Sequence, residues 1–281
     1  MNDESDRSVD RYCVIGNPIA HSKSPEIHTV FAAQTGQRLS YGRCLAPLDG
    51  FAATVHELVA QGYKGANVTV PFKIEAAALA TRLTSRAQAA GAVNTFSFAG
   101  GEIVGDNTDG PGLVADIVRN AGVALAGKRI LLLGAGGAAR GIMLPFLLER
   151  PASILVANRT VATAEALVAG FAGQGGEVAA CGFDAIEGPY DIVVNATSSS
   201  LAADMPPVPA SAFAKGTLAV DIMYGDQPSP FMAFAAAQGA DVRDGLGMLV
   251  EQAAEAFTVW RGVRPETSEV FNLLRTKNKN G

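Results

Sequence analysis

Residues 128–147, KRILLLGAGGAARGIMLPFL, constrain this chain more than any other stretch. A short apolar run meets a glycine turn and passes directly into a second apolar segment, the pattern of a strand, a tight turn and a helix. The turn has the form G-x-G-x-x-A, with Gly134, Gly136 and Ala139 at the three marked positions. In that context the first glycine makes the turn, the second lets the backbone approach a pyrophosphate, and the alanine lets the helix pack close to the strand. The helix N-terminus adds unpaired N–H groups and the positive end of the helix dipole. A dinucleotide fold is the architecture this predicts, provided a second strand follows. ASILVANRT, residues 152–160, supplies one.

The end of that second strand bears on which nucleotide binds. A carboxylate there would accept from a ribose 2′-hydroxyl and point to NAD. The chain has Asn158-Arg159-Thr160 instead. A guanidinium pairs with a 2′-phosphate, and Thr160 can cap the next helix while donating to the same group. The residues therefore favour NADP over NAD, although a solvated surface arginine is the simpler use of Arg159.

Short apolar runs alternate with amphipathic stretches through most of the chain, which argues for mainly parallel sheets covered on both faces. Strands are expected at 12–18, 40–47, 65–70, 128–133, 152–160, 190–198, 217–225 and 241–245. A hairpin is expected over 94–107, turning at Ala99-Gly100-Gly101. Helices fit residues 24–36, with Ser24 as N-cap and Pro25 at N1, and 50–61, 110–121, 161–173, 246–262 and 266–276. Two α/β domains fit this order better than one. The expected division is a tail over residues 1–11, a substrate domain over 12–112 plus 246–281, and a Rossmann domain over 113–245. With 281 residues and 48% hydrophobic content, the chain has ample material for two cores.

A net charge of −5 and the lack of any basic run with interleaved aromatics weigh against a nucleic-acid partner. No apolar stretch reaches membrane-spanning length, and the acidic start, MNDESDRSVDR, does not read as a signal segment. Cys13, Cys44 and Cys181 are widely spaced and odd in number, which suits a reduced, cytoplasmic setting. None of the three histidines is placed as a metal ligand, so no metal is expected.

The other half of the chemistry is expected around GANVTVPFK, residues 65–73. Asn67 and Thr69 share one face of a strand, and Lys73 follows its carboxyl end, the edge at which ligands bind in open α/β sheets. HSKSP (21–25) offers Ser22 and Ser24, GAVNT (91–95) offers Asn94, and GDNTDG (105–110) places Asp109 at a helix start. Each has an ordinary structural use, as a cap or a turn residue. Their recurrence at comparable edges of one sheet suggests a site.

The succession GNPIAHSKSPEIH, GANVTVPFK, GAVNT, GDNTDGPG, GAGGAARG, ANRT, NATSSS, DIMYGDQPSPF and DGLGMLVEQAAEAF resembles the shikimate dehydrogenase family, in order from about Tyr12 to about Trp260. The resemblance implies reversible NADPH-dependent reduction of 3-dehydroshikimate to shikimate, on the way to chorismate and the aromatic amino acids, by a monomer or homodimer whose two domains face a cleft. By resemblance, Lys73 and Asp109 form the catalytic pair. Ser22 and Ser24 bind the substrate carboxylate, and Thr69, Asn94 and Gln252 hold ring hydroxyls, with Asn67 alongside. Gly134, Ala135, Gly136, Gly137 and Ala138 cradle the pyrophosphate, and Asn158, Arg159 and Thr160 the adenosine phosphate. Ile222, Tyr224 and Gly245 line the nicotinamide end. Two departures stand out. Thr163 occupies the place of a second arginine common in NADP-preferring members, and Ser200 replaces the glycine of NATSSG. A paralogue acting on quinate with NAD(P) and a non-catalytic NADP-binding sensor are the competing readings. Retention of both Lys73 and Asp109 argues against the sensor. A methylenetetrahydrofolate dehydrogenase also joins a Rossmann half to a catalytic half, but does not suit the HSKSP and GDNTDG clusters.

Overall fold

The computed structural model describes residues 9–197 and 204–279. The chain divides into two compact units, residues 1–108 with 252–277 and residues 109–251 with 278–281.

In the first unit, aliphatic and β-branched runs form strands β1 (Asp10–Gly16), β2 (Leu39–Leu45), β3 (Gly65–Val68), β4 (Arg82–Leu83), β5 (Thr95–Ala99) and β6 (Glu102–Asp106). They make one mixed sheet in the order β2-β1-β3-β5-β6-β4. Three of its five pairings are parallel, and the expected hairpin β5–β6 supplies one of the two antiparallel ones. Gly100 and Gly101 turn that hairpin with φ of 60° and 83°, a left-handed pair that only glycine adopts without strain. Helices α1 (Ser24–Thr35), α2 (Phe51–Ala60), α3 (Lys73–Leu79) and α4 (Ser85–Ala90) come from the same segment. One core cluster gathers Cys13, Ile15, Phe51, Val55, Phe72 and Phe96. A second group packs Tyr12 against Trp260, the rings tilted by 31° with centroids 4.6 Å apart, and sets Phe31 against Phe257 at 5.8 Å.

The register decides where ligands can gather. Ile15 is paired with Val68, Asn67 with Thr95, and Thr95 with Asp106. The carboxyl ends of β1, β3 and β6 and the start of β5 therefore share one edge of the sheet. HSKSP, Thr69 to Lys73, Asn94 and GDNTDG all issue from that edge.

The second unit is a parallel sheet of β7 (Arg129–Leu133), β8 (Ser153–Ala157), β9 (Glu177–Cys181), β10 (Ile192–Asn195), β11 (Leu218–Asp221) and β12 (Asp241–Arg243). Its order, β12-β11-β10-β7-β8-β9, is the doubly wound order of dinucleotide-binding sheets, with the switch point between β7 and β10. Helices α5 (Asp109–Ala115), α6 (Gly137–Leu148), α7 (Val161–Ala169) and α8 (Pro230–Ala237) belong to it. A five-residue π turn, Asp116–Asn120, continues α5, and buried Asp116 there is bridged by Arg243 at 2.6 Å. Helix α9 (Leu246–Arg261) starts in this unit and finishes in the first, to which α10 (Ser268–Lys279) contributes all but its last two residues.

Several boundaries differ from the sequence reading. β1 begins at Asp10, so Asp10 and Arg11, assigned to the tail, are strand; the Asp10 amide donates to the Arg38 carbonyl and its carboxylate pairs with Arg261 at 2.5 Å. β3 stops at Val68, because the chain turns at Thr69, whose carbonyl accepts from the Phe72 amide at 3.0 Å. α1 begins at Ser24 with Lys23 in the N-cap position, so the Ser24 hydroxyl is not the cap.

Candidate active site

At this edge of the first unit, polar side chains form one buried network. The Asn67 Nδ2 donates to the Asn94 carbonyl at 3.1 Å and to Thr95 Oγ1 at 3.0 Å, while its Oδ1 accepts from the Tyr41 hydroxyl at 2.6 Å. Asn94 Nδ2 donates to Thr108 Oγ1 at 2.9 Å and to Gln252 Oε1 at 3.2 Å, and its Oδ1 accepts from the Thr108 amide at 2.8 Å. Asn67, Asn94, Thr95 and Thr108 are all buried. The expected residues Asn67, Asn94 and Gln252 thus come together, with Asn67 committed to the protein on both its oxygen and its nitrogen.

Thr69 continues the ladder past β3 by donating from its amide to the Ile15 carbonyl at 2.9 Å. Lys73 opens α3, half-buried, and its carbonyl accepts from the Val93 amide at 2.8 Å, which ties the helix start to the segment leading into Asn94. Ser22 Oγ accepts from the Ser24 amide at 3.3 Å, and the Ser22 carbonyl accepts from Arg43 Nη2 at 2.6 Å. Ser24 is buried at the first turn of α1. Asp109 is the first residue of α5, half-buried, and belongs to the second unit.

Two parts of this edge carried no sequence signal. Tyr41 sits in an unremarkable alternating strand, yet its hydroxyl reaches Asn67. Burial pushes its phenol up, against a hydrogen bond with Ser24, so it stays a donor. The other part is the anchor of GDNTDG. Arg86 donates from Nε and Nη2 to the two Asp106 oxygens at 2.7 Å each, and from Nη1 to Glu255 at 2.8 Å. Thr84 Oγ1 and the Asn107 amide also donate to Asp106, at 2.6 and 2.8 Å. Burial alone would raise the Asp106 carboxyl, but the Arg86 guanidinium and these donors hold it below its ordinary value. Asp106 lies two residues before Thr108, so this ion pair fixes the loop that feeds the network.

In the second unit the glycine turn has the geometry a phosphate needs. Gly134 has φ of +100°, and a Cβ there would press on the Ala196 carbonyl at 3.1 Å. Gly136 has an ordinary φ of −82°, and a Cβ at Gly136 or Gly137 would meet nothing within 4 Å. Those two glycines are required neither by backbone conformation nor by packing; they leave room above the α6 N-terminus, which fits an approaching pyrophosphate. Ala139 is fully buried against the sheet, as close packing of α6 demands. Ala135 is buried within the turn, and Ala138 lies in the first turn of α6.

After β8, Asn158 Nδ2 donates to the Thr160 carbonyl at 2.9 Å, which closes the turn and leaves the Arg159 side chain exposed. Thr160 occupies the N-cap position of α7 but makes no side-chain capping bond, contrary to the expected cap. Among the described residues no carboxylate directly ends β8, so the donor set fits NADP. At the β10 and β11 ends, buried Asn195 and Asp221 are joined at 3.3 Å, and Ser229 donates to Asp221 at 2.6 Å. Ile222 and Tyr224 follow that anchor; the Ile222 amide donates to the Asn195 carbonyl, and the Gly245 amide to the Met223 carbonyl. Ser198 to Ser200 of NATSSS, including the glycine replacement, lie outside the described residues.

Comparison with known proteins agrees along the chain. Three family profiles match in order: the shikimate dehydrogenase substrate binding domain over residues 14–96, shikimate / quinate 5-dehydrogenase over 116–222, and the shikimate 5′-dehydrogenase C-terminal domain over 245–270. A shikimate dehydrogenase (NADP(+)) of Janthinobacterium sp. (strain Marseille) is 63% identical over 96% of this chain and 98% of its own. The solved structure of an Ael1 enzyme from Pseudomonas putida is 49% identical with a TM-score of 0.91, covering 94% of this chain and 98% of that one. Shikimate 5-dehydrogenase from Thermus thermophilus, solved with NADP(H) and shikimate, is 33% identical with a TM-score of 0.81 over 92% of this chain and 96% of that one.

Proposed function

This chain belongs to the NADP(+)-dependent shikimate dehydrogenase family, oxidoreductases acting on a CH–OH group, and from that premise we propose how its residues divide the reaction. The substrate carboxylate is held by the hydroxyls of Ser22 and Ser24. Thr69, Asn94 and Gln252 hold the ring hydroxyls. Asn67, pinned by Tyr41 and Thr95, sets the position of the Asn94 backbone rather than contacting the ring freely.

Lys73 and Asp109 perform the proton chemistry. When bound, NADPH supplies the hydride for the carbonyl carbon of 3-dehydroshikimate. Charge then develops on the carbonyl oxygen, and the Lys73 ammonium stabilises it and delivers the proton, leaving the shikimate hydroxyl. Asp109 is the second member of the catalytic pair that the family resemblance implies, a carboxylate suited to accept from a substrate hydroxyl. In the reverse direction neutral Lys73 removes the hydroxyl proton.

On the second unit, residues Gly134 to Ala138 would hold the pyrophosphate at the α6 N-terminus. Arg159, with Thr160, would pair with the 2′-phosphate. Ile222, Tyr224 and Gly245 would border the nicotinamide, positioned by the Asn195–Asp221–Ser229 network. The three cysteines, all free thiols, suit a cytoplasmic setting.

One observation carries this reading: Ser24, Thr69, Asn94 and Lys73 issue from the same sheet edge, and Asn94 is hydrogen-bonded to Gln252. The test is an assay of the purified protein with shikimate or quinate and with NADP⁺ or NAD⁺. Rapid turnover of shikimate with NADP⁺, and little with the other pairs, is the expected result. Comparable turnover of quinate or use of NAD⁺ would move the chain to the quinate-type reading. Tight NADP⁺ binding with no turnover would make it a sensor.

A further inference from the structure

The second unit carries a cavity of about 660 Å³ that the family comparison leaves without a residue-level role. Its walls are largely apolar, with Val161, Phe183, Ile186 and Val208 among them, and two charged side chains of opposite sign line it, Arg159 and Asp184. Arg159 comes two residues after β8 and Asp184 three residues after β9, and the two strands are parallel neighbours with Ala157 paired to Cys181. The Asn158 amide donates to the Cys181 carbonyl at 3.1 Å, so the two loops are joined where they leave the sheet.

Strand order converts this placement into chemistry. The glycine turn follows β7, Arg159 follows β8, and Asp184 follows β9, one strand spacing of roughly 4.8 Å apart at each step. With the pyrophosphate on the first and the 2′-phosphate on the second, the base, carried on the ribose carbon next to the 2′-phosphate, is within reach of the cavity that Arg159 and Asp184 both line. The apolar walls suit the faces of a flat heteroaromatic ring. A carboxylate among them only accepts, so it selects a ring that presents an N–H donor.

The position of that carboxylate is specified locally. A Cβ on Gly182 would stand 2.5 Å from Asp184 Oδ1 and 3.4 Å from Val161 Cγ2. The carboxylate is therefore folded back over a residue that has no side chain, beside the α7 start that follows Arg159.

We propose that Asp184 reads the exocyclic amino group of adenine and determines base specificity, while Arg159 reads the 2′-phosphate. The inference rests on the second unit being the NADP site. It adds a residue that selects adenine over a base carrying a carbonyl at that ring position, where acceptor would face acceptor.

The test is isothermal titration of the intact protein with NADP⁺ and with nicotinamide hypoxanthine dinucleotide phosphate, in which a carbonyl replaces the amino group. Wild type should prefer NADP⁺ by about tenfold, as one hydrogen bond to a charged acceptor implies. Asp184→Ala should bind the two equally, and Gly182→Ala, which crowds the carboxylate while keeping it, should also erode the preference. Arg159→Ala should weaken both dinucleotides by a similar factor and leave the preference standing. Equal binding by wild type, or a preference that survives in Asp184→Ala, would overturn the proposal. Tighter binding of both dinucleotides by Asp184→Ala would overturn it too, and would mark Asp184 as opposing the 2′-phosphate instead. If wild type bound neither dinucleotide, the NADP reading of the unit would fall and take this proposal with it.

Discussion

Lys73 enters α3 only four residues after Thr69, and the turn between them is closed by the Phe72 amide on the Thr69 carbonyl. The backbone thus fixes where the lysine stem departs, and Lys73→Ala should leave the fold and NADP⁺ affinity intact. Turnover should fall by about a hundred- to ten-thousand-fold, the usual worth of a positioned general acid; steady-state kinetics beside NADP⁺ titration checks both halves. A second residue, His28, tests the packing beneath the site. It is fully buried, stacks on Tyr41 at 4.2 Å, and neither ring nitrogen has a hydrogen-bond partner among the described residues. Burial lowers its pKa to about 3, against a smaller opposing pull from nearby Asn67. The folded value is below the unfolded value of 6.5, so the unfolded chain takes up the proton first. Stability should then fall as pH drops from about 6.5 toward 3, with about 2 kcal/mol lost by pH 5. His28→Phe, which keeps the stack and removes the titration, should flatten that part of the profile in denaturant unfolding measured from pH 7 to pH 5.

Among the elements, the loop after β6 owes its place to Arg86 and Asp106 rather than to any turn signal of its own. Asp106→Asn breaks a largely buried pair and should cost roughly 3 kcal/mol at pH 7. Because the folded Asp106 carboxyl titrates below its ordinary value of 3.8, its stabilisation is present above that pH and is lost as pH falls through the folded value. The gap between wild type and variant in urea unfolding should close accordingly below about pH 4. The β7–α6 turn behaves differently. Gly136→Ala should change stability by no more than about 1 kcal/mol, since a Cβ there touches nothing. It should nevertheless weaken NADP⁺ binding at least about tenfold by filling the phosphate approach; equal loss of both properties would make Gly136 a folding residue. The strand–turn–helix here was legible in the sequence because a short apolar run, a glycine turn with Gly134 at positive φ and a second apolar segment follow one another directly. The stretch 73–91 was not. KIEAAALATRLTSRAQAAG forms α3, β4 and α4, three elements of seven residues or fewer, too short for any period to emerge from an alanine-rich run. β9 was missed for the same reason, five residues with two alanines behind Gly175-Gly176. Asp184, which follows it, went with it. Of the candidate site, Ser24, Asn94 and Lys73 were singled out from clustered polar motifs. Tyr41 and Arg86 act through tertiary bonds to residues far along the chain, and no local pattern announces those.

For the molecule as a whole, each unit has its own sheet, and on the proposed division of residues each ligand should leave a separate footprint. In hydrogen exchange, NADP⁺ should protect residues 134–140, 158–161 and 182–186. Shikimate alone should protect 16–24, 67–73 and 94–95. Protection of the first set by shikimate alone would reassign the substrate to the second unit. Helix α9 gives the molecule a further property, because it begins among residues 109–251 and ends among residues 252–277. Phe257 and Trp260, from its last turns, pack on His28, Phe31 and Tyr12, and Trp260 Nε1 donates to the Phe96 carbonyl at 2.9 Å. Residues 10–106 leave the ribosome first, yet their aromatic covering is translated only after the 143 residues from 109 to 251. At ordinary elongation rates that is a delay of roughly 7 to 30 s. During it the Tyr12–His28–Phe31 surface lacks the rings of Phe257 and Trp260 that pack on it in the finished fold, and the first sheet to be synthesised is completed only once α9 has been made.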